Sequence, residues 1–154
     1  MRIYLAGAIE AAPNNGREWR RDLTPFLEDL GAQVFDPSLK EDTFISEEEK
    51  KHFRTWKTTD YNRFKTVIRK IIDRDLDQLL NKTDLVICLW DEHVIQGGGT
   101  HGELTLAYRF GIPVYMVLGM DQSKTSSWIL GCVTELFHDY ESLKLKITQD
   151  KIHT

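Results

Sequence analysis

The sequence predicts a doubly wound α/β domain with a largely parallel sheet of five strands. Two observations carry this. Short, almost wholly apolar runs recur along the 154 residues, and stretches of helical periodicity separate them. Near-continuous apolar runs mark strands buried on both faces, as in parallel sheets. Their alternation with helices implies right-handed crossovers. The chain reads as one domain over residues 1–154, flavodoxin- or Rossmann-like in type.

In chain order, "RIYLAGAI" opens as the first strand rather than as a secretory leader. "GREWRRDLTPFLEDLG" places Trp19, Leu23, Phe26, Leu27 and Leu30 on one helical stripe, with Gly31 as a C-terminal cap and Pro25 as an expected kink or break. "AQVFDP" is the second strand. A segment over residues 40–72 departs from the pattern and reads as a helical basic insertion. From Lys40 to Arg74 it holds ten of the 20 Lys and Arg against seven acidic residues. It reads as a solvated excursion or as a flap that draws anions toward the sheet edge, with Trp56, Tyr61 and Phe64 as core or stacking surface. "TVIRKIIDRDLDQLL" continues as helix and "DLVICLW" is the third strand. "ELTLAYRFG" is a short helix closed by Gly111. "PVYMVLG" is the fourth strand, "SSWILGCVTELF" a helix capped by Ser126 or Ser127, and "LKLKI" the fifth strand.

Composition narrows the function classes. A net charge of −4 provides no general attraction to a nucleic-acid polymer or an anionic membrane. No run of 18 apolar residues suggests a spanning helix. Cys88 and Cys132 have neither metal nor redox spacing and read as buried thiols of a cytoplasmic protein.

Ligands of doubly wound sheets bind beyond the carboxyl ends of the strands. Gly7, Ala8 and Glu10, Asp36, Asp91 and the stretch "QGGGTHGELTLAYRFG" fall there. Gly97, Gly98 and Gly99 allow positive φ and close approach of a ligand to the backbone. With Thr100 as N-cap, the free N–H groups of the following helix suit an anion. Glu103 then falls in the first turn and projects into the cleft or merely offsets the helix dipole. His101, two residues away, points elsewhere. His93, Asp91 and Glu92 cluster without further ligands, so neither metal nor cofactor is expected. Asp91 either hydrogen-bonds a ligand or ends its strand.

"YLAGAI", "REWRRDLTPFLEDLGAQVFDP", "RDLDQLLNKTDLVICL" and "GTHGELTLAYRFGIPV" occur in that order over residues 3–117. The set resembles the nucleoside 2-deoxyribosyltransferase family and its N-glycosidase relatives. The resemblance implies cleavage of an N-glycosidic bond in a small nucleoside or nucleotide, with transfer of the deoxyribosyl group to another base. It puts the nucleophile on Glu103 and the group handling the departing base on Asp75. Gly7 then allows close approach after the first strand, while Tyr4 packs in the sheet. The resemblance also implies a homo-oligomer, for which four tryptophans offer surface. The chain departs from the family pattern at three positions. Gly97 stands where an acidic residue or serine is usual, Ala8 replaces a proline, and Glu10 sits where a nucleotide-binding relative has a basic residue. Two alternatives stand beside transfer. One is a nucleotide N-glycosidase, including a phosphoribohydrolase-like enzyme, to whose signature "GGGTHGE" is also similar. The other is a nucleotide-sensing module without turnover.

Overall fold

A computed structural model describes residues 1–39 and 44–152. Strands β1 (Arg2–Ala6), β2 (Gln33–Phe35), β3 (Leu85–Trp90), β4 (Val114–Leu118) and β5 (Glu135–Phe137) form one all-parallel sheet of order β2-β1-β3-β4-β5. Helices α1 (Arg17–Asp29), α2 (Glu47–Thr59), α3 (Tyr61–Lys82), α4 (Gly99–Arg109), α5 (Ser127–Gly131) and α6 (Tyr140–Ile152) connect and cover it. This is the doubly wound, flavodoxin-like order. The chain leaves β1 for β2 on one side and returns to β3 on the other, which opens a crevice at the carboxyl ends of β1 and β3.

Alternation along β1 builds two cores. Ile3 and Leu5 meet Leu23 and Leu27 of α1 and Leu143 and Ile147 of α6. Tyr4 and Ala6 face Leu79 of α3, Leu104 and Ala107 of α4, and Ile129 of α5. A third cluster joins Ile45, Phe53 of α2 and Val67 of α3. The α2–α3 hairpin is set by local chemistry. Ser46 and Glu49 form a reciprocal cap, the Asp60 side chain accepts from the Arg63 N–H, and Glu49 also pairs with Lys70 at 3.1 Å. Expected to begin near residue 40, this insertion is helical from Glu47, and Lys40 lies outside the described residues. Among the described residues, no helix is long and apolar enough to cross a membrane.

Several expected elements differ. "LKLKI" lies within α6 and is not a strand. Leu143 and Ile147, four residues apart, are buried while Leu145 between them is 61% exposed, a helical period that a strand would not produce. Lys146 completes the helical turn by pairing with Asp150 at 2.9 Å. The fifth strand comes instead from the end of the run expected to be one helix. That helix stops at Gly131, and Glu135–Phe137 pairs with β4. Pro25 leaves α1 continuous, because the buried Leu23 and Leu27 anchor the helix on both sides of it.

Candidate active site

A cavity of about 910 Å³ opens at the carboxyl ends of β1 and β3. Its lining includes Gly7, Ala8, Glu10, Asp75, Gly97, Gly98, Gly99, Thr100 and Glu103. Asp75 and Glu103, 28 positions apart in sequence, therefore face one space.

Glu103 is the fifth residue of α4, one turn deeper than a first-turn position, because the helix starts at Gly99 with Gly98 as its cap. Thr100 is thus inside the helix and buried rather than the N-cap. Glu103 is partly buried, and beneath it the wholly buried Tyr4 hydroxyl donates to Oε1 at 2.7 Å. Burial pushes the Glu103 carboxyl up to about 7; the Tyr4 hydrogen bond opposes this, the Asp75 charge adds to it, and Arg20 opposes it. Tyr4 itself is pushed well above the usual phenol range by burial and by the Glu103 and Asp75 charges. It therefore remains a donor. Expected only to pack in the sheet, Tyr4 does so and also aims the carboxylate.

Tyr4 stacks on Phe35, with ring centroids 5.3 Å apart. Arg74 lies over Phe35 at 5.6 Å and pairs with Asp75 Oδ1 at 2.8 Å. A continuous set of contacts thus fixes both carboxylates from behind. Side-chain exposures of 18% for Arg74 and 15% for Asp75 put this pair at the cavity wall, not in bulk solvent.

The loop after β1 is held by Arg20, which is wholly buried. Its guanidinium donates to the carbonyls of Leu5 at 3.3 Å, Gly7 at 3.0 Å, Ala8 at 3.3 Å and Gly16 at 2.9 Å, and lies 3.5 Å from Asp36. A Cβ at Gly16 would stand 2.2 Å from the Ala8 carbonyl at φ +64°, so only glycine fits. Sequence reading passed over Arg20. The signal was a lone cation at position 20, one turn before Leu23 on a helical stripe that continues to Leu27 and is otherwise apolar.

The Gly-rich turn works differently from expectation. Gly97 and Gly98 have φ of −95° and −96°, so positive φ is not what they provide. Nothing lies within 4 Å of a Cβ built on Gly98 or Gly99. Their use is bare backbone at the cavity mouth. Two other expected contacts are occupied within the protein. Glu10 accepts from Arg54 Nε at 3.1 Å. Asp91, absent from the cavity lining, accepts the His93 N–H at 3.0 Å and packs beside Gly119, as a strand-ending turn does. His101 packs edge-on to Trp90 at 4.8 Å. Among the described residues, no group of three His, Cys, Asp or Glu is placed to hold a metal. Cys88 and Cys132 are buried free thiols, and burial pushes the Cys88 thiol up.

No protein-family model matches the chain, and no curated protein matches it. Solved structures do. One is a 2-deoxyribosyltransferase from the psychrotolerant bacterium Bacillus psychrosaccharolyticus, with TM-score 0.65 and 20% identity over 94% of this chain and 90% of that one. Another is a CMP N-glycosidase from Clostridium botulinum, with TM-score 0.53 and 19% identity over 97% of this chain and 98% of that one. Both are enzymes of the kind that the sequence motifs resemble, and the chain has their fold over nearly its whole length.

Proposed function

We propose that the protein cleaves the N-glycosidic bond of a nucleoside or nucleotide, with Glu103 as nucleophile, and transfers the glycosyl group to a second base. The observation that carries this is the Glu103 carboxylate, aimed by Tyr4 into a cavity that also holds Asp75. A Glu103 oxygen attacks the anomeric carbon, the bond to the base breaks with its electron pair on the base nitrogen, and a glycosyl ester remains. Asp75 hydrogen-bonds the departing base and handles its proton. A second base then attacks the ester and frees Glu103. Water in its place gives hydrolysis by the same first step. The fold shared with a transferase and with a hydrolase supports both outcomes. The site acts within a single 1–154 domain, in a cytoplasmic homo-oligomer of this chain.

The test is release of free base from a panel of nucleosides and nucleotides, with and without a second base. Base exchange supports transfer, and release only into water supports hydrolysis. A 2-fluoro sugar substrate should leave its label on Glu103. Label on another residue defeats the nucleophile assignment, and binding without any release leaves a sensing module instead.

A further inference from the structure

One face of α2 forms a wall of the same cavity. Lys50, Phe53, Arg54 and Lys57 occupy positions i, i+3, i+4 and i+7, and all four line it. Three of the four are cations, and Glu10 is the carboxylate beside them. A chain of net charge −4 has therefore concentrated positive charge on one side of its main cleft, with Glu103 and Asp75 also in the lining. Arg54 is held in place twice, by Glu10 on Nε and by the Phe53 ring 4.6 Å from its guanidinium carbon. Among the described residues its terminal amino groups make no hydrogen bond, which leaves the fork that suits a phosphate. Lys57 makes no ion pair among the described residues. Among the described residues the Lys50 ammonium pairs with Glu47, whose side chain is 92% exposed, a surface pair easily exchanged for a better anion.

We propose that this face of α2 binds a phosphate of the substrate, through Arg54, Lys57 and Lys50, and that the substrate is a nucleotide in preference to a free nucleoside. The proposal rests on the N-glycosidic reading of the site and narrows it. Glu10 is then a positioning residue for Arg54 and not a substrate contact. The insertion supplies the anion recognition, and the sheet edge supplies the chemistry.

Calorimetric binding in a Glu103→Gln background, which holds substrates uncleaved, tests this. The probes are nucleosides, their 5′-monophosphates, their 3′-monophosphates and inorganic phosphate. At least one monophosphate series should bind about tenfold or more tighter than the nucleosides, the worth of one charge-assisted contact. Which series does so locates the phosphate on the sugar. Inorganic phosphate should compete with it, and the preference should shrink as salt is raised. Lys57→Glu should collapse the nucleotide-to-nucleoside affinity ratio. Lys51→Glu, the same charge change on α2 outside the cavity lining, should leave that ratio at its original value. Equal affinity for nucleosides and both monophosphates, or a ratio that survives Lys57→Glu, overturns the proposal. Tight, Lys57-dependent nucleotide binding without base release by the wild type sinks the N-glycosidic reading and keeps the phosphate wall. Base release with no phosphate preference does the reverse.

Discussion

The crevice between β1 and β3 and the α2–α3 hairpin meet at one cavity but are built on opposite principles. In the crevice the polar groups are withdrawn from solvent. Tyr4 and Arg20 are wholly buried, and each is satisfied by a defined partner. On the hairpin the charges ride on a small apolar cluster of Ile45, Phe53 and Val67 and stay half in water, as in the Arg54–Glu10 pair at 45% and 55% exposure. Low dielectric makes a charge in the crevice strong, slow to rearrange and costly to misplace. High dielectric on the hairpin makes each charge weak, tunable and tolerant of change. The proposed chemistry needs the first environment, and the proposed phosphate recognition suits the second.

Substitutions should separate the two regions by size of effect. Glu103→Gln keeps shape but removes the proposed nucleophile, and base release should fall at least about a hundredfold, or about 2.7 kcal/mol of transition-state stabilisation. A lower melting temperature with near-normal turnover would make Glu103 structural instead. Asp75→Asn should cost about tenfold or more with poorly leaving bases and much less with an activated leaving group. Equal losses across leaving groups would remove it from proton handling. Tyr4→Phe should cost about tenfold, one charge-assisted hydrogen bond. It should also move the rising limb of the pH–rate profile upward, because the lost hydrogen bond had held the Glu103 carboxyl down. An unmoved limb means that Tyr4 only packs. Arg63→Ala, on the hairpin, removes an exposed pair with Glu48 and a contact over Trp56, and should cost under about 1 kcal/mol in denaturant unfolding.

The Glu103 carboxyl also predicts a pH dependence of stability. Its pKa rises from an ordinary 4.5 to about 7 on folding, so between these values the folded state holds more protons than the unfolded one. Stability contributed by this group is therefore greatest below pH 4.5 and is lost as pH rises through 7. Relative to the wild type, Glu103→Gln should gain stability across that window in parallel unfolding titrations. A constant difference between the two proteins from pH 5 to pH 8 would show that burial does not perturb Glu103.

The sequence by itself determined the parallel sheet, four of its five strands and the meeting of Glu103 with the Gly-rich turn. Apolar runs and helical periods are local properties, and a strand-to-helix turn keeps its residues together. It did not determine the last strand, because "LKLKI" satisfies a two-residue alternation and a four-residue helical spacing equally, and only packing of Leu143 and Ile147 against the sheet chose the helix. It could not assign Tyr4, since one strand residue looks like the next until α4 crosses above it and brings Glu103 to 2.7 Å. Nor could it separate Glu10 from Asp91. Both carboxylates follow strands, and only the tertiary structure turned one toward Arg54 at the cavity wall and the other back onto the His93 N–H. What is periodic along the chain is legible in the chain; what depends on which helix lies over which strand is settled by long-range packing, where burial and pairing of polar groups select one arrangement.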